Sequence, residues 1–600
     1  MRIDARLARF FAVAVFSVSL SATRARADDA IPIMPLSEIK AGMTGEWHSV
    51  VSGTRIDRFP MEVVGIADNF IGPQRPVIIC KGLDATNILT GPVAGMSGSP
   101  VFINGKLIGA YAYGFLLPKE QDLFGVTPIE QMLEVESNYP PTGITNFVRP
   151  MARLNTDAAD PQWLTAPAAT ASVPALGVLQ SAMKPLPTPL FVSGVSERVL
   201  KKFAPQLNAL GLQVMQVPSG SAPLHSFDTN LEPGSAVSGV LMSGDFDFAG
   251  TGTVTWKHGN RILAFGHPFL QNGPEEMPMA PAEIITVVQT YLESFKLPNI
   301  GPIVGSIYQD RLTGIAGEIG RKPDTTHVEI HLDAPGGKTR TFQGDMFQDQ
   351  MFSPILSAIA LLESIYATVE FETKQTIYMN TTLEVAGHEP VKLSDAASGD
   401  DGGFELAINQ WELYESLLDN PCAFPNVKSL TFNVRMVDSV KASWLDSLNL
   451  DRNEAKAGST IHAVIGLRNY HGAPSVISVS VPIPVDLRAS QVQLFVGDAD
   501  AAQQMDELPP VPPQTLDQVL DRLRRTRSHQ DICVKLVENT PGVAVEGQNL
   551  PDLPPSVVAQ FASPNASMER ATLNRITLWE TNFPVAGTFS GEMTLPVRIK

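Results

Sequence analysis

The segment 91–115, GPVAGMSGSPVFINGKLIGAYAYGF, contains the most informative motif of this sequence. Its centre flanks Ser97 with Gly95 and Gly98, and Asn104-Gly105 between two apolar runs is typical of a two-residue β-hairpin turn. Glycine adopts backbone conformations that larger residues resist, so the serine hydroxyl can be presented at a sharp turn. Such a serine is suited to attack a carbonyl carbon. The alternative is a Gly/Ser-rich turn without chemistry.

The turn differs from the nucleophile turn of the α/β-hydrolases. That motif needs Gly-x-Ser-x-Gly between a strand and a helix, whereas Ser99 stands at its last position here and a strand follows. The pattern is similar to the Gly-Asp-Ser-Gly-Gly-Pro turn of trypsin-like proteases, in which Met96 would replace the aspartate. The similarity implies a double β-barrel fold. Because Met96 replaces the aspartate, activation by a newly cut N-terminus that pairs with that aspartate is not expected.

A nucleophilic serine needs a general base, and the sequence offers ten histidines. His267, in RILAFGHPF, follows an apolar strand and precedes a proline, so its ring should lie at a strand exit. A lone histidine in such a position is also compatible with a purely structural role. His48, in TGEWHSVV, is the alternative base because it lies in the same block as Ser97.

Two separate stretches resemble one family, the sporulation stage IV B serine peptidases. The nucleophile-bearing half of that domain is similar to IKAGMTGEWHSVVSGTRIDRFPMEVVGI together with the segment 91–115. The half with the Gly-His motif is similar to GTGTVTWKHGNRILAFGHPF and VGSIYQDRLTGIAGEIG. Ser97 precedes His267 here, which reverses the order in the family. Geometry alone defines a triad, so a circular permutation of the two halves would preserve it.

The resemblance implies roles for individual residues. Ser97 would be the nucleophile and His267 the base, and we expect their side chains to lie within hydrogen-bond distance. The family's aspartate corresponds most closely to Asp84, which could equally cap a turn. By similarity to trypsin-like enzymes, the backbone N–H groups of Gly95 and Ser97 would hold the oxyanion. The expected wall of the substrate cleft consists of Tyr111, Ala112 and Tyr113.

These residues predict a secreted serine endopeptidase that acts on a protein or peptide through an acyl-enzyme, without a cofactor. The alternative is a non-catalytic surface or assembly protein that has kept a peptidase-like fold. The large C-terminal region favours that alternative, since sandwich modules usually bind, and it would offer a site for a cell-surface or other protein partner.

Residues 1–27 have the features of a secretory signal peptide. Three arginines in the first nine residues precede the apolar run FFAVAVFSVSLSA, and ARA stands before Asp28. The run is too short for a comfortable membrane span, and no later segment is long and apolar enough to be one. We expect a mature protein that starts near Asp28, has no membrane span and is periplasmic or extracellular. An uncleaved membrane anchor is the alternative.

Charge and cysteine content argue against other classes of function. The net charge is −18, and it becomes −22 without the signal, which holds five Arg and one Asp, so nucleic-acid binding is not expected. Three cysteines without CxxC spacing, and no His-Glu-x-x-His run, predict no metal site. An oxidising compartment would permit one disulfide bridge, for which Cys422 and Cys533 are candidates.

The abundance of Pro and Gly (48 and 46 residues) favours a mainly β fold with many turns. We expect a trypsin-like double β-barrel built from two half-domains, followed by a C-terminal β-sandwich-like region with a few helices. The expected organisation is a signal peptide (1–27), a nucleophile half (28–145), a linker with a small helical segment (146–231), a base-containing half (232–372), a β-sandwich-like domain (373–498) and a C-terminal α+β or β region (499–600).

Overall fold

The structure is a computed structural model, in which the fold is mainly β, as expected. The expected signal peptide at 1–27 and the Pro- and Ala-rich part of the expected linker, 146–182, lie outside the described residues. The residues that the structure describes are 31–84, 90–115, 122–137, 183–210, 212–217, 227–290, 294–369, 374–506, 513–540, 542–545, 548–551, 553–561, 570–573 and 575–600.

The first body is a closed antiparallel barrel, here called the nucleophile barrel (residues 44–128). A short 3-10 helix, Leu36–Glu38, precedes it. Its elements are β1 (Thr44–Val50), β2 (Ile56–Gly72), β3 (Arg75–Gly82), β4 (Val93–Ala94), β5 (Ser99–Ile103), β6 (Lys106–Gly114), β7 (Leu123–Pro128) and the following helix α1 (Ile129–Glu136). Six strands pair in the order β5-β1-β2-β3-β7-β6, and β6 pairs back with β5, which closes the sheet. Trp47, Tyr111 and Phe124 pack together in its core.

A connecting stretch follows that the sequence analysis expected to be a linker. It contains β8 (Lys184–Pro185), β9 (Leu190–Ser193), α2 (Glu197–Ala209) and β10 (Val214–Gln216). The helix α2 is the small helical segment that was expected. The strands around it are not a linker, because β8 pairs with β6 and β9 pairs with a strand of the second barrel. Several of their apolar side chains, among them Leu190 and Phe203, are fully buried.

The second body is another closed barrel, here called the base barrel (residues 236–319). Its strands are β11 (Ala236–Gly244), β12 (Asp247–His258), β13 (Arg261–Ala264), β14 (Gly273–Val288), β15 (Ser294–Ile300), β16 (Gly305–Arg311) and β17 (Gly314–Ile319). Six of them pair antiparallel in the closed order β11-β12-β13-β17-β16-β14-β11. Two closed six-stranded barrels are the architecture that the sequence analysis expected.

The two barrels are in direct contact. β4 of the nucleophile barrel pairs in parallel with β15 of the base barrel through Val93↔Ser294 and Ala94↔Phe295. One buried apolar cluster combines Ile129 and Met132 of α1 with Leu263 and Ala316 of the base barrel. Neither barrel therefore buries all of its apolar surface by itself.

The sheet of the base barrel continues into a helix-covered layer. Its elements are β18 (Thr325–Ala334), β19 (Lys338–Phe347), α3 (Phe352–Thr368), β20 (Gln375–Val385), β21 (Val391–Gly399), α4 (Gly402–Leu418) and β22 (Val427–Val437). β19 pairs with β11, and β18 pairs with β22, so the boundary expected at 372/373 falls inside one sheet. The physical reason is α3, which is buried almost all round and needs the sheet on one side and α4 on another.

The C-terminal body is a two-sheet sandwich. The elements of this part of the chain are β23 (Ala442–Leu450), β24 (Glu454–Ala455), β25 (Thr460–Asn469), β26 (Ser475–Pro482), β27 (Gln491–Gly497), α5 (Ala499–Asp506), α6 (Leu516–Arg524), β28 (Asp531–Glu538), β29 (Gly542–Val545), β30 (Gln548–Pro551), α7 (Pro555–Phe561), β31 (Arg570–Leu573), β32 (Ile576–Pro584), β33 (Thr588–Ser590) and β34 (Glu592–Ile599). Of these, α6 packs against β21 and α4 of the preceding layer, and β29, β30 and β31 form a separate three-stranded sheet. The sheets β26-β25-β23-β33 and β24-β34-β27-β28-β32 enclose one apolar core. Because β27 pairs with β28 and β34, the sandwich also crosses the boundary expected at 498/499.

Two further expectations bear on the whole chain. Within the described part of the chain, none of the helices has the length and hydropathy that a bilayer crossing requires. Cys80, Cys422 and Cys533 are all free, so the Cys422–Cys533 bridge is not formed.

Candidate active site

Ser97 lies in the turn between β4 and β5. Two glycines make this turn possible, because φ is +91° at Gly95 and +96° at Gly98, where L-residues are strained. Gly98 is also required by space. A Cβ on it would lie 2.0 Å from the carbonyl oxygen of Thr253 and 2.4 Å from the backbone nitrogen of Phe265. The turn is therefore pressed directly against the backbone of the base barrel.

Two threonines of β12 hold the turn in place. The Thr253 N–H donates to the Ser97 carbonyl at 2.7 Å, and the Thr253 hydroxyl donates to the Gly95 carbonyl at 3.0 Å. The Thr255 hydroxyl donates to the Gly98 carbonyl at 2.7 Å. These threonines were not predicted. Their signal was the alternation in GTGTVTW, which puts Thr253 and Thr255 on one face of a strand.

His267 follows β13 after a tight bend. Phe265 and Gly266 have φ values of +69° and +72°, and the positive value at Phe265 is uncommon for a bulky residue. The Thr127 hydroxyl of the nucleophile barrel donates to the Gly266 carbonyl at 2.6 Å. A Cβ on Gly266 would lie 2.7 Å from Cβ of Ala110. The bend is thus wedged against β6, and this brings His267 to the other barrel.

The structure brings Ser97 and His267 together as the sequence predicts. Ser97 Oγ lies 2.7 Å from His267 Nε2, and both residues are buried, with 0% and 3% of their surfaces exposed. Nδ1 of His267 lies 2.7 Å from the carbonyl oxygen of Pro268. A carbonyl only accepts, so Nδ1 carries the proton and Nε2 of the neutral ring accepts from the Ser97 hydroxyl.

Burial sets the charge of this histidine. Desolvation lowers the pKa of His267 to about 4, against a smaller opposite effect of the Pro268 carbonyl. The ring is therefore neutral at pH 7 in this structure. A neutral imidazole with its free lone pair on the serine hydroxyl is the arrangement that a general base needs.

The third member of the expected triad is not assembled. Nδ1 of His267 is engaged by Pro268, and Asp84 lies instead beside Asp122 at the end of β3. Burial, followed by the negative charge of Asp84, raises the pKa of Asp122 to about 6. A backbone carbonyl thus occupies the position in which an orienting carboxylate was expected.

A different carboxylate supports the segment that follows His267. Asp310, in β16, accepts the backbone N–H groups of Phe269 at 3.0 Å and of Gln271 at 2.7 Å, and also that of Leu270. Burial raises the pKa of Asp310 to about 6, although these N–H groups favour its charged form. Asp310 fixes the backbone next to Pro268 and so is a positioning residue that the sequence analysis missed.

The backbone around Ser97 leaves two donors available. Met96 N–H donates to Val93 O at 3.0 Å, and Gly98 N–H donates to Tyr111 O at 2.8 Å. Among the hydrogen bonds of the described residues, Gly95 N–H and Ser97 N–H have no acceptor. These are the two groups expected to form the oxyanion hole, and their lack of an internal acceptor is compatible with that role.

Lys296, in β15, lies behind the turn. Its side-chain carbons are 3.2–3.4 Å from the position of a Cβ on Gly95. Nζ is fully buried and donates to the hydroxyls of Ser49 at 2.7 Å and Thr253 at 3.2 Å. Desolvation lowers the pKa of Lys296 to about 7. A buried amine that holds Thr253, itself bonded to Gly95, is a second positioning group that the sequence analysis missed.

The remaining predicted residues are placed as follows. His48, the alternative base, contacts Glu46 through Nε2 at 2.9 Å and packs against the Phe102 ring, so it does not contact Ser97. The Tyr111 side chain lies in the barrel core and not in a cleft, because it packs on Trp47 and Phe124. Ala112 and Tyr113 lie on the stretch of β6 that pairs with β8.

Comparisons with known proteins were informative for one part of the chain. A family model described as SpoIVB peptidase S55 matches residues 12–133, a range that contains Ser97 and Asp84 and ends before His267. No curated protein and no solved structure matches the chain. In the described ranges, no group of three His, Cys, Asp or Glu side chains is arranged to hold a metal ion.

Proposed function

We propose that the protein is a serine peptidase in which Ser97 and His267 form the catalytic dyad; the match of a SpoIVB peptidase S55 family model to residues 12–133 supports the peptidase assignment. The observation that carries the proposal is the 2.7 Å contact between Ser97 Oγ and His267 Nε2, which joins two barrels and two residues that are 170 positions apart. A peptidase acts on protein or peptide substrates.

In the proposed mechanism Ser97 Oγ attacks the carbonyl carbon of the scissile bond while His267 Nε2 takes its proton. The tetrahedral intermediate collapses, the C–N bond breaks, and His267 delivers the proton to the leaving amine. Water then attacks the acyl-enzyme, with His267 again accepting and returning a proton. The Pro268 carbonyl keeps the other ring nitrogen protonated throughout, the task that a carboxylate performs in a full triad.

The N–H groups of Gly95 and Ser97 would stabilise the oxyanion that forms in each step. A single donor of this kind contributes about 10²–10³-fold to the rate in serine peptidases. The hydroxyl of Thr253 fixes the Gly95 peptide, and Lys296 holds Thr253 from the other side. This support keeps the donors in place before the substrate arrives, which is the source of their effect.

The reversed order of the two halves is best accounted for by a circular permutation. Each half is a closed barrel that brings one member of the dyad, and catalysis depends on their geometry and not on chain order. The parallel pairing of β4 with β15 and the shared apolar cluster supply the docking that a permuted fold needs.

We further propose that the enzyme is secreted to the periplasm or beyond. The basic and apolar pattern of residues 1–27 supports cleavage near Asp28. N-terminal sequencing of the protein recovered from the periplasm or medium tests this, and a chain that starts at Met1 in a membrane fraction contradicts it. A protein partner for the C-terminal sandwich stays a prediction.

A fluorophosphonate probe tests the dyad, because it reacts only with an activated serine. We expect Ser97→Ala to abolish labelling and His267→Ala to reduce it almost as much, since members of such a unit are not additive. Ser357→Ala is the matched control, because it removes an equally buried hydroxyl, in α3, that bonds only within its helix. Labelling of Ser97→Ala at the wild-type rate would show that another residue is the nucleophile.

A further inference from the structure

The edge of β6 next to the dyad is occupied by the chain itself. β5 pairs with β6 as far as Ser99↔Tyr111, and beyond that point β8 takes its place through Tyr113↔Pro185 and Gly114↔Lys184. The Leu186 N–H adds a hydrogen bond to the Ala112 carbonyl at 2.9 Å. An extended stretch of chain thus lies along β6 in the way that a bound peptide adds a strand to a sheet edge.

A β-bulge brings this stretch close to the nucleophile. Relative to β7, the register of β6 shifts between Tyr111 and Tyr113, so Ala112 is an extra residue. Extra residues of this kind redirect the groups around them and occur often beside active sites. The Tyr111 carbonyl accepts Gly98 N–H, and the next carbonyl, of Ala112, accepts Leu186 N–H. Leu186 and Gly98, the residue that follows Ser97, are therefore bound by neighbouring carbonyl groups of β6.

The Leu186 side chain fills a pocket beside the nucleophile turn. It is only 3% exposed and belongs to the same buried cluster as Val93 and Met96. Its Cδ2 lies 3.0 Å from where a Cβ on Gly114 would be, and Cβ of Pro92 lies 2.6 Å from that point. The absence of a side chain at Gly114 leaves room for a leucine between β6 and the loop that leads to Ser97.

The stretch then crosses to the base barrel. The methyl group of Thr188 lies 3.1 Å from the position of a Cβ on Gly250, which the Phe269 ring also borders. Leu190 joins β9, which pairs with β12. The chain thus passes from a strand next to Ser97 to a strand next to the segment that follows His267. Ser97 and His267 are both buried, so the dyad is closed in this structure.

We propose that residues 183–189 (MKPLPTP) form an inhibitor segment that binds the substrate site of the same chain, with Leu186 in the pocket for the residue before the scissile bond. The proposal rests on the proposed function. It places the carbonyl of Leu186 where Ser97 attacks a substrate, and a peptide that displaces the segment has to present an aliphatic side chain to the same pocket.

The prolines explain how such a segment can stay uncut. Pro187 restricts the preceding residue to an extended backbone, which suits Leu186 for pairing with β6. Pro187 also has no N–H, and its ring occupies the space beside the nitrogen to which His267 would deliver a proton. The peptide bond between Leu186 and Pro187 is therefore held in the site but resists cleavage.

Release of the segment is tested with Leu186→Asp in the full chain, which puts a carboxylate into an apolar pocket. We expect the rate of fluorophosphonate labelling to rise by about 10- to 100-fold, from the burial that the leucine loses. Lys184→Ala is the matched control, because this side chain of the same segment is exposed, and its labelling rate should not change. Labelling of folded Leu186→Asp at the wild-type rate would overturn the proposal.

A second variant decides the matter if Leu186→Asp fails to fold. Pro187→Ala should turn the inhibitor segment into a substrate. Ser97 Oγ would form an ester with the Leu186 carbonyl, the C–N bond to residue 187 would break with its proton supplied by His267, and water would release the ester. Intact-mass measurement should find cleavage after Leu186 that the added change Ser97→Ala prevents. An uncut chain overturns the inhibitor proposal, whereas loss of all Ser97-dependent labelling, in the wild type and in Leu186→Asp, overturns the peptidase mechanism.

Discussion

Replacing Gly98 by alanine adds one methyl group to the turn that carries Ser97. The methyl carbon would lie 2.0 Å from the Thr253 carbonyl oxygen and 2.4 Å from the Phe265 nitrogen. Both are backbone atoms of the base barrel, so neither can rotate away. The turn must retreat from β12 or the barrels must separate.

The size of the effect follows from these distances. Non-bonded contacts need about 3.5 Å, so the turn has to move by about 1.5 Å. The 2.7 Å contact between Ser97 Oγ and His267 Nε2 does not survive such a shift. A misplacement of about 1 Å costs about 10²-fold in rate, and we expect at least that loss in kcat/KM. Overpacking adds about 1–3 kcal/mol of destabilisation, and alanine at a positive φ about 1 kcal/mol more.

The assay combines the rate of fluorophosphonate labelling with urea unfolding of the same samples. Gly105→Ala is the control, because φ is +73° there and no atom lies within 4 Å of the added carbon. Gly105→Ala should lose only about 1 kcal/mol of stability, which is the cost of alanine at a positive φ, and should keep the wild-type labelling rate. If Gly98→Ala reacted as fast as Gly105→Ala, the contact between the turn and β12 would not be what positions Ser97.

Two further predictions concern the positioning groups. In the folded protein the pKa of Lys296 falls from the usual 10.5 to about 7, so between those pH values the unfolded chain binds more protons and wild-type stability rises with pH. Lys296→Met should remove this rise in the free energy of unfolding, which approaches 1.4 kcal/mol per pH unit and is measured by urea unfolding at pH 7 to 10. The same substitution should slow labelling. Parallel curves of stability against pH for the two proteins would contradict this. Asp310→Asn should lower kcat and weaken the Ser97–His267 contact, read from the histidine NMR shift, whereas Asp84→Asn should change neither. If Asp84→Asn lowered kcat and Asp310→Asn did not, Asp84 would be the orienting acid.

Local pattern singled out Ser97, and the family resemblance then favoured His267 over His48 as its partner; the structure places Ser97 Oγ and His267 Nε2 2.7 Å apart. Ser97 sits in a glycine-bounded turn before a hairpin, and His267 sits at a strand exit, and both features are visible in a few neighbouring residues. The orienting group was not predictable in this way. A carboxylate was expected for His267 because the family that the sequence resembles has an aspartate in that role, whereas the bend at Phe265 and Gly266 turns the Pro268 carbonyl toward Nδ1. Such a bend depends on tertiary contacts.

The burial of Lys296 could not be predicted from the sequence for a different reason. In the strand SFKLPNI a lysine suggests a solvent-facing position, and alternation alone gives no reason to bury it. It is buried because the nucleophile barrel docks on that face, and β4 lies alongside β15. The boundaries expected at 372/373 and 498/499 failed for a related reason. They fall inside sheets that β18 forms with β22 and β27 forms with β28, and such pairing between distant strands is set by packing and not by the composition of the segments that join them.

The position of the inhibitor segment links the two barrels to regulation. The nucleophile barrel supplies Ser97 and the edge of β6, and the base barrel supplies His267, Thr253 and Lys296. The segment that covers the edge runs from one barrel into the other, since Leu186 binds β6 and Leu190 binds β12. A small separation of the barrels would therefore loosen the inhibitor segment and the dyad together. For this reason an active enzyme requires the inhibitor segment to leave the β6 edge while the threonine contacts of β12 stay in place. A substitution within 183–189 should therefore open the substrate site without disturbing the dyad, whereas a substitution at the barrel interface should disturb both.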